Sequence, residues 1–187
     1  MKLYIDLDDT VKDTSRYINK VIDSNKVSLG RVNSLYSIVA DDFFIKESLC
    51  NWDVIPFCQG ALNSLKLLET EHEIVFCSQY LFAEEAKRKQ EFASSLGKSL
   101  YLFPRTQGVD KDSLDMSDGV LIDDNLDVLL KSNAQYLYEM LSGNKRLDLK
   151  RERPDNCLVT NWFHIVDVLL SDRRKYEDTR RIIYQGV

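Results

Sequence analysis

The four cysteines, Cys50, Cys58, Cys77 and Cys157, include no CxxC pair, and the two histidines, His72 and His164, lie far apart. Neither a zinc site nor a disulfide framework is signalled by that spacing. No apolar run approaches the ~20 residues needed to span a bilayer. The amino terminus passes straight into a strand pattern, without the charged and apolar regions of a secretory leader. The expectation is a protein of the reducing cytoplasm with no membrane partner. Positive charge is short as well: 25 Lys and Arg stand against 30 Asp and Glu, for a formal net charge of -5. Proteins that coat nucleic acid need a positive surface to displace phosphate counterions, so a nucleic-acid partner is disfavoured. A small anionic substrate stays compatible, because a bound cation can supply positive charge locally. No internal repeat or low-complexity tract is present.

What the chain does have is the balance of a packed protein: 187 residues, 44% hydrophobic and 29% charged. That length fits one domain of ordinary size with room for a small insertion. Lys2 to Leu7 reads as a short strand that runs into the acids Asp6, Asp8 and Asp9. Helical spacing follows from Ser15 to about Ile22 and again within Leu29 to Leu49, as an inserted helical segment. After Pro56 and Gly60, Ala61, Leu62, Leu65, Leu67 and Leu68 form the stripe of an amphipathic helix, and Glu73 to Cys77 reads as a strand closed by Ser78. A charged helix from Ala83 to about Leu96 stops at Gly97, as helices often do. Leu100 to Phe103 and Gly119 to Ile122 read as further strands, the second ending in Asp123 and Asp124, with a helix from Leu126 to Lys131 behind it. Trp162 to Leu170 predicts a late helix docked on the sheet.

Strands alternating with helices predict an α/β fold with an open, mostly parallel sheet, and ligands of such sheets bind at the carboxyl ends of the strands. Asp6, Ser78, Asp123 and Asp124 all fall at those ends, so three separated segments converge on one predicted place. A carboxylate attacks an anionic phosphate poorly unless a cation reduces the repulsion and holds the reacting groups in line. Hard cations such as magnesium take oxygen ligands from one or two carboxylates. Ser78 lies in Phe76-Cys77-Ser78-Gln79-Tyr80, which lacks the GxSxG elbow of serine hydrolases. On its own it is equally a helix cap, and Lys111 on its own reads as a surface lysine.

Asp6-Leu7-Asp8-Asp9-Thr10, Ile74-Val75-Phe76-Cys77-Ser78 and Val120-Leu121-Ile122-Asp123-Asp124-Asn125 resemble, in order, the motifs of the haloacid dehalogenase (HAD) phosphohydrolase superfamily. The resemblance covers Lys2 to about Lys131, and its nearest form is the 5'(3')-deoxyribonucleotidase branch. It implies a Rossmann-like core, 1–14 and 56–187, with a helical extension over about 134–187 and a helical cap over 15–55. It implies that Asp6 attacks phosphorus to form an aspartyl-phosphate and that Asp8 protonates the leaving oxygen and later activates water, for which its pKa must rise. Ser78 becomes a phosphate ligand. Asp6, Asp8 and Asp124 become ligands of Mg2+, with Asp123 supporting. The family's basic residue is Lys111, with Arg105 and Lys98 as alternatives. The implied activity is magnesium-dependent phosphomonoester hydrolysis, with a nucleoside monophosphate as partner. A phosphatase for another small phosphate ester and a non-catalytic nucleotide-binding module remain open. Phe43, Phe44 and Trp52 either line a substrate pocket or pack the cap's own core.

Overall fold

The computed structural model describes residues 1–25, 43–105, 110–141 and 150–171. Six parallel strands form one sheet: β1 (Lys2–Ile5), β2 (Glu73–Tyr80), β3 (Ser99–Pro104), β4 (Gly119–Asp123), β5 (Tyr136–Met140) and β6 (Cys157–Thr160). Their spatial order is β3-β2-β1-β4-β5-β6. Parallel neighbours cannot be joined by tight hairpins. Helices α3 (Ala61–Leu68), α4 (Ala83–Ser95) and α5 (Leu126–Lys131) accordingly lie in the β1-to-β2, β2-to-β3 and β4-to-β5 connections. The strands are short apolar runs because both sheet faces are covered, and β4 is buried at every position.

The period of two divides the core. Leu3 and Ile5 join Phe76, Val120 and Ile122 on one face, while Tyr4 joins Val75, Cys77 and Leu121 on the other. The first face is closed by α3 and by α6 (Trp162–Leu170) through Leu65, Leu68, Trp162, Ile165 and Leu169. The second is closed by Leu126, Val128 and Leu129 of α5. Each fully buried aliphatic side chain contributes about 1.5–3 kcal/mol relative to exposure. Leu67, counted in the apolar stripe of α3, instead faces outward, and Ser64 takes the inner position with its Oγ donating to the Trp162 carbonyl at 3.2 Å. The predicted stop of α4 holds, with Gly97 at φ +65° just past its end.

Between β1 and α3 stand α1 (Thr14–Asn25) and α2 (Phe43–Cys50). They form a small apolar centre of their own from Ile18, Ile22, Ile45 and Leu49. The spacings 18/22 and 45/49 put these residues on one face of each helix.

Two readings of the sequence need correction. The helical extension expected over 134–187 supplies two strands, β5 and β6, before its helix α6. These strands are only five and four residues long. β5 also carries Glu139, buried against Arg153, which donates to it through two nitrogens at 2.5 and 3.2 Å. A charged residue in a run that short conceals the strand. Strand β2 also runs past Ser78 to Tyr80, because it pairs with β3 two residues beyond Ser78 while its pairing to β1 ends at Phe76. Most of the stretch from Leu29 to Leu49, where the sequence has helical spacing, lies outside the described residues.

The sheet leaves no room at Gly119. A Cβ there would lie 2.5 Å from the Lys2 carbonyl oxygen and 3.0 Å from the Tyr4 ring. Gly119→Ala should therefore push β4 away from β1 and lower the unfolding free energy by about 1–3 kcal/mol. Urea unfolding of the two proteins checks this; equal midpoints would contradict the packing described.

Candidate active site

In strand order 3-2-1-4-5-6 the chain winds outward in both directions from the β1/β4 pair, and the crevice beyond their carboxyl ends is where such sheets bind ligands. Asp6 follows β1 directly, its N–H still donating to the Ile122 carbonyl at 2.9 Å. Asp123 ends β4 and Asp124 follows it. Oxygens of Asp6, Asp123 and Asp124 lie within 4.8 Å of one another. Repulsion between Asp6 and Asp123 is met by a buried cation. Lys111, 1% exposed, donates from Nζ to Asp6 Oδ1 at 2.5 Å and to Asp123 Oδ2 at 2.6 Å.

Lys111 reaches that position because it opens a short 3-10 turn, Lys111–Ser113, capped by Asp110. The Asp110 carboxylate accepts from the Lys111 N–H at 2.7 Å and from Gln79 Nε2 of β2 at 3.1 Å. The other oxygen of Asp123 accepts from the Asn125 N–H at 2.8 Å. Of the three basic candidates, Lys111 thus sits on Asp6, Arg105 lines the cleft at the end of β3, and Lys98 is paired with Glu69 at 2.6 Å. Burial pushes the Asp6 carboxyl well above the ordinary range; Lys111 opposes this, and Asp123, Asp8 and Asp124 add to the rise.

Asp8 has different surroundings. Its Oδ1 accepts from Trp52 Nε1 at 2.8 Å and Thr14 Oγ1 at 2.9 Å; its Oδ2 accepts from Lys89 Nζ at 2.5 Å and Ser78 Oγ at 3.3 Å. Four donors meet the four lone-pair positions of a carboxylate. This side chain is therefore already saturated, and it stands outside the cluster of Asp6, Asp123 and Asp124. Burial alone would raise Asp8, but the charge of Lys89 and the hydrogen bonds from Lys89, Trp52 and Thr14 outweigh it and hold the group below the usual carboxylate range. The rise expected of an acid catalyst is absent from this arrangement.

The cleft is lined by Asp6, Asp8, Asp9 and Asp124 from the strand ends, Gln79, Tyr80 and Leu81 from β2 and beyond, Glu85 from α4, Leu49 from α2, and Arg105. Ser78, within β2, is wholly buried and touches the site through Asp8. Trp52, for which the sequence leaves pocket lining and core packing both open, is fully buried, edge-on to Phe92 with ring centroids 5.3 Å apart. Phe43 and Phe44 are 66% and 41% exposed and are not among the lining residues. From α2 it is Leu49 that faces the cleft.

Sequence reasoning missed Lys89 and Glu85. Both are buried, with Lys89 Nζ donating to Glu85 Oε1 at 2.6 Å and to the Gln79 carbonyl at 2.7 Å. A Glu-to-Lys pair at i,i+4 normally reads as a solvated helix face. The available signal was the poverty of α4 in large apolar residues: the inward stripe is Glu85, Lys89 and Ala93.

The fold is shared with HAD-like hydrolases. The chain is similar to a candidate haloacid dehalogenase-like hydrolase from Burkholderia xenovorans, with a TM-score of 0.61 and 14% identity over 94% of this chain and 97% of that one. It is likewise similar to the candidate HAD-hydrolase YfnB from Bacillus subtilis, whose structure is bound to magnesium (TM-score 0.60, 11% identity, 90% of this chain and 98% of that one). A haloacid dehalogenase-like family hydrolase from Xanthomonas campestris gives a TM-score of 0.56 at 9% identity over 96% and 97% of the two chains. No protein-family model and no curated protein matches the sequence. Among the described residues, no helix is long and apolar enough to cross a membrane.

Asp9 gives a test of the site's electrostatics. It adopts a left-handed conformation, φ 55°, and its carboxylate accepts from the Ser15 N–H at 2.7 Å and from the Ser15 hydroxyl. Burial and the nearby Asp124 and Asp8 push its pKa up to about 7, against the Ser15 hydrogen bonds. An unfolded Asp titrates near ~3.9. Between that pH and about 7 the folded chain keeps a proton the unfolded chain has lost, so this group's contribution to stability falls as pH rises through the window. Asn is neutral in both states, can still accept from Ser15, and tolerates a left-handed backbone. Metal-free Asp9→Asn should therefore melt higher than wild type at pH 8, by roughly 2–4 °C, with the difference shrinking towards pH 4. A lower melting temperature at pH 8 would contradict a raised Asp9 pKa in the folded chain.

Proposed function

We propose that the chain is a magnesium-dependent phosphomonoester hydrolase that works through an aspartyl-phosphate on Asp6. The observation that carries this reading is the Asp6 carboxylate at a parallel strand end, gripped on one oxygen by buried Lys111 and clustered with Asp123 and Asp124. The three acids offer the hard oxygen donors that Mg2+ prefers, and the upward pressure on Asp6 is what a divalent cation would reverse. They fit the ion: Asp6 and Asp124 would hold it, and Asp123 would orient Lys111. When bound, the ion would supply charge stabilisation to the phosphoryl oxygens and keep Asp6 ionised.

The chain's own residues account for the remaining steps. Lys111 holds Asp6 Oδ1, which leaves Oδ2 as the attacking oxygen, and its ammonium lies where negative charge gathers in the transition state. Asp8, ionised in this structure, must first take up a proton from solvent; attack of Asp6 Oδ2 on phosphorus then breaks the phosphorus–oxygen ester bond, and the leaving oxygen takes that proton from Asp8. Water then attacks the aspartyl-phosphate, giving its proton back to the Asp8 carboxylate and regenerating Asp6. Ser78 and Arg105 are the polar groups proposed to steady the phosphate, and a nucleoside monophosphate of the 5'(3')-deoxyribonucleotidase type is the proposed substrate. The saturation of Asp8 favours one other reading, a nucleotide-binding module without turnover.

Purified protein with magnesium should release phosphate from deoxynucleoside monophosphates, lose that activity to EDTA and regain it when magnesium is restored. Asp6→Asn should lower kcat by about 1,000-fold or more. Equal rates for wild type and Asp6→Asn would sink the chemistry. Faster turnover of other small phosphate esters would replace the nucleotide but keep the reaction. Tight nucleotide binding with no release across the panel would decide for the module.

A further inference from the structure

We infer that Lys89 is the positioning residue for Asp8, a fixed cationic clamp, and that Ser78 is the donor Asp8 exchanges when a phosphate enters the site. This rests on the phosphohydrolase reading above for its catalytic consequence, though the clamp itself is a matter of geometry.

A carboxylate that must give and take a proton needs an open lone pair, and in this structure Asp8 has none. The four donors differ in what each would lose by leaving. Thr14 and Trp52 are anchored at the start of α1 and in the turn that returns from α2, with Trp52 fully buried. Lys89 is 0% exposed, and its three contacts, to Asp8, Glu85 and the Gln79 carbonyl, all lie between 2.5 and 2.7 Å. An ammonium has three protons, so Lys89 is fully used where it stands. Its partner Glu85 is fixed in turn by the Leu81 N–H at 2.9 Å. Ser78 is the exception. Its hydroxyl reaches Asp8 Oδ2 at 3.3 Å and has a second acceptor, the Gln79 carbonyl, also at 3.3 Å. Long and divided contacts are the ones most readily exchanged.

If the Ser78 hydroxyl turns to a phosphate oxygen, one lone pair on Asp8 Oδ2 opens while the other three donors keep the carboxylate in place. Phosphate arrival and the opening of Asp8 become the same event. The proton balance follows: the opened lone pair takes up a proton from solvent, Asp8 gives that proton to the leaving oxygen, and the attacking water returns one.

Removing Lys89 alone would leave Asp8 and Glu85 buried without their cation, and such a chain can fail to fold. The test therefore uses Lys89→Met and, beside it, Lys89→Met with Glu85→Gln, which removes one charge of each sign. The first readout needs no substrate. The chain has two tryptophans, Trp52 and Trp162. In 15N-labelled protein the Trp52 indole N–H, bonded to Asp8, should shift in the double variant, while that of Trp162, bonded to the Thr10 carbonyl at 2.7 Å, should stay. An unmoved Trp52 resonance in a folded double variant would overturn the clamp whether or not the chain is an enzyme.

The second readout uses p-nitrophenyl phosphate with magnesium. Its leaving group needs little help from an acid, so Asp6 should still be phosphorylated while water activation fails. The double variant should give a burst of one p-nitrophenolate per chain, then turnover about 100-fold slower than wild type, with KM falling in step so that kcat/KM stays within a factor of about three. Wild-type kcat without a burst would overturn the positioning role. Absence of phosphate release from wild type would overturn the phosphohydrolase reading alone, leaving the clamp to the indole spectra.

Discussion

A single ammonium between two carboxylates makes the carboxyl edge of this sheet tenable. Parallel strands deliver their carboxyl ends side by side, so Asp6, Asp123 and Asp124 crowd together as a consequence of register: Ile5 pairs with Ile122, and the acids are the residues that come next. Buried carboxylates that close would be driven to protonate without a counter-charge. Lys111 bridges Asp6 and Asp123 from the far side of the β3-to-β4 connection. Breaking such a buried pair from one side costs about 3–5 kcal/mol, so the arrangement ties stability to the same contact that shapes the site.

The neighbouring acid is governed by a second buried lysine and behaves in the opposite sense. Asp6 is pushed up by burial and by three other carboxylates, whereas Asp8 is held down by Lys89 and neutral donors. Two carboxyl groups two residues apart thus have environments that separate their pKa values, the usual way one site keeps different duties apart. The elements doing this come from across the fold: α1, the turn after α2, β2 and α4 each send one donor to Asp8. Lys12 adds a further tie, its buried Nζ donating to the Ile55 carbonyl at 2.6 Å and lying 4.0 Å from the Phe57 ring centroid. The loop after β1 is thereby fastened to the chain returning from the inserted helices.

Much of this was legible in the sequence, and the rest was hidden for identifiable reasons. Apolar runs ending in acids gave β1 and β4 with their carboxylates, and the alternation of strand and helix gave the parallel sheet. Strands β5 and β6 were hidden because four or five residues carry little periodicity and Glu139 interrupts one of them. Lys111 could be located between motifs but not chosen over Arg105 or Lys98, since only the 3-10 turn capped by Asp110 aims it at Asp6. Lys89 was invisible because pattern reading assigns charged residues on helices to solvent. Trp52 was marked as an aromatic of interest, yet its indole N–H serves Asp8 and its ring serves the core. In each case the sequence shows residue type and spacing, while the missing quantity is which of several long side chains reaches a carboxylate 12 to 105 positions away.

The central claim is that Asp6 is the phosphoryl acceptor, steadied by Lys111 and by a cation shared with Asp124. It is tested most directly by a crystal structure grown with magnesium and beryllium fluoride, whose trifluoride mimics a phosphoryl group on a carboxylate. The account predicts beryllium on Asp6, magnesium against Asp6 and Asp124, and Lys111 still on Asp6. Beryllium on another side chain, or magnesium bound away from the acid cluster, would contradict it.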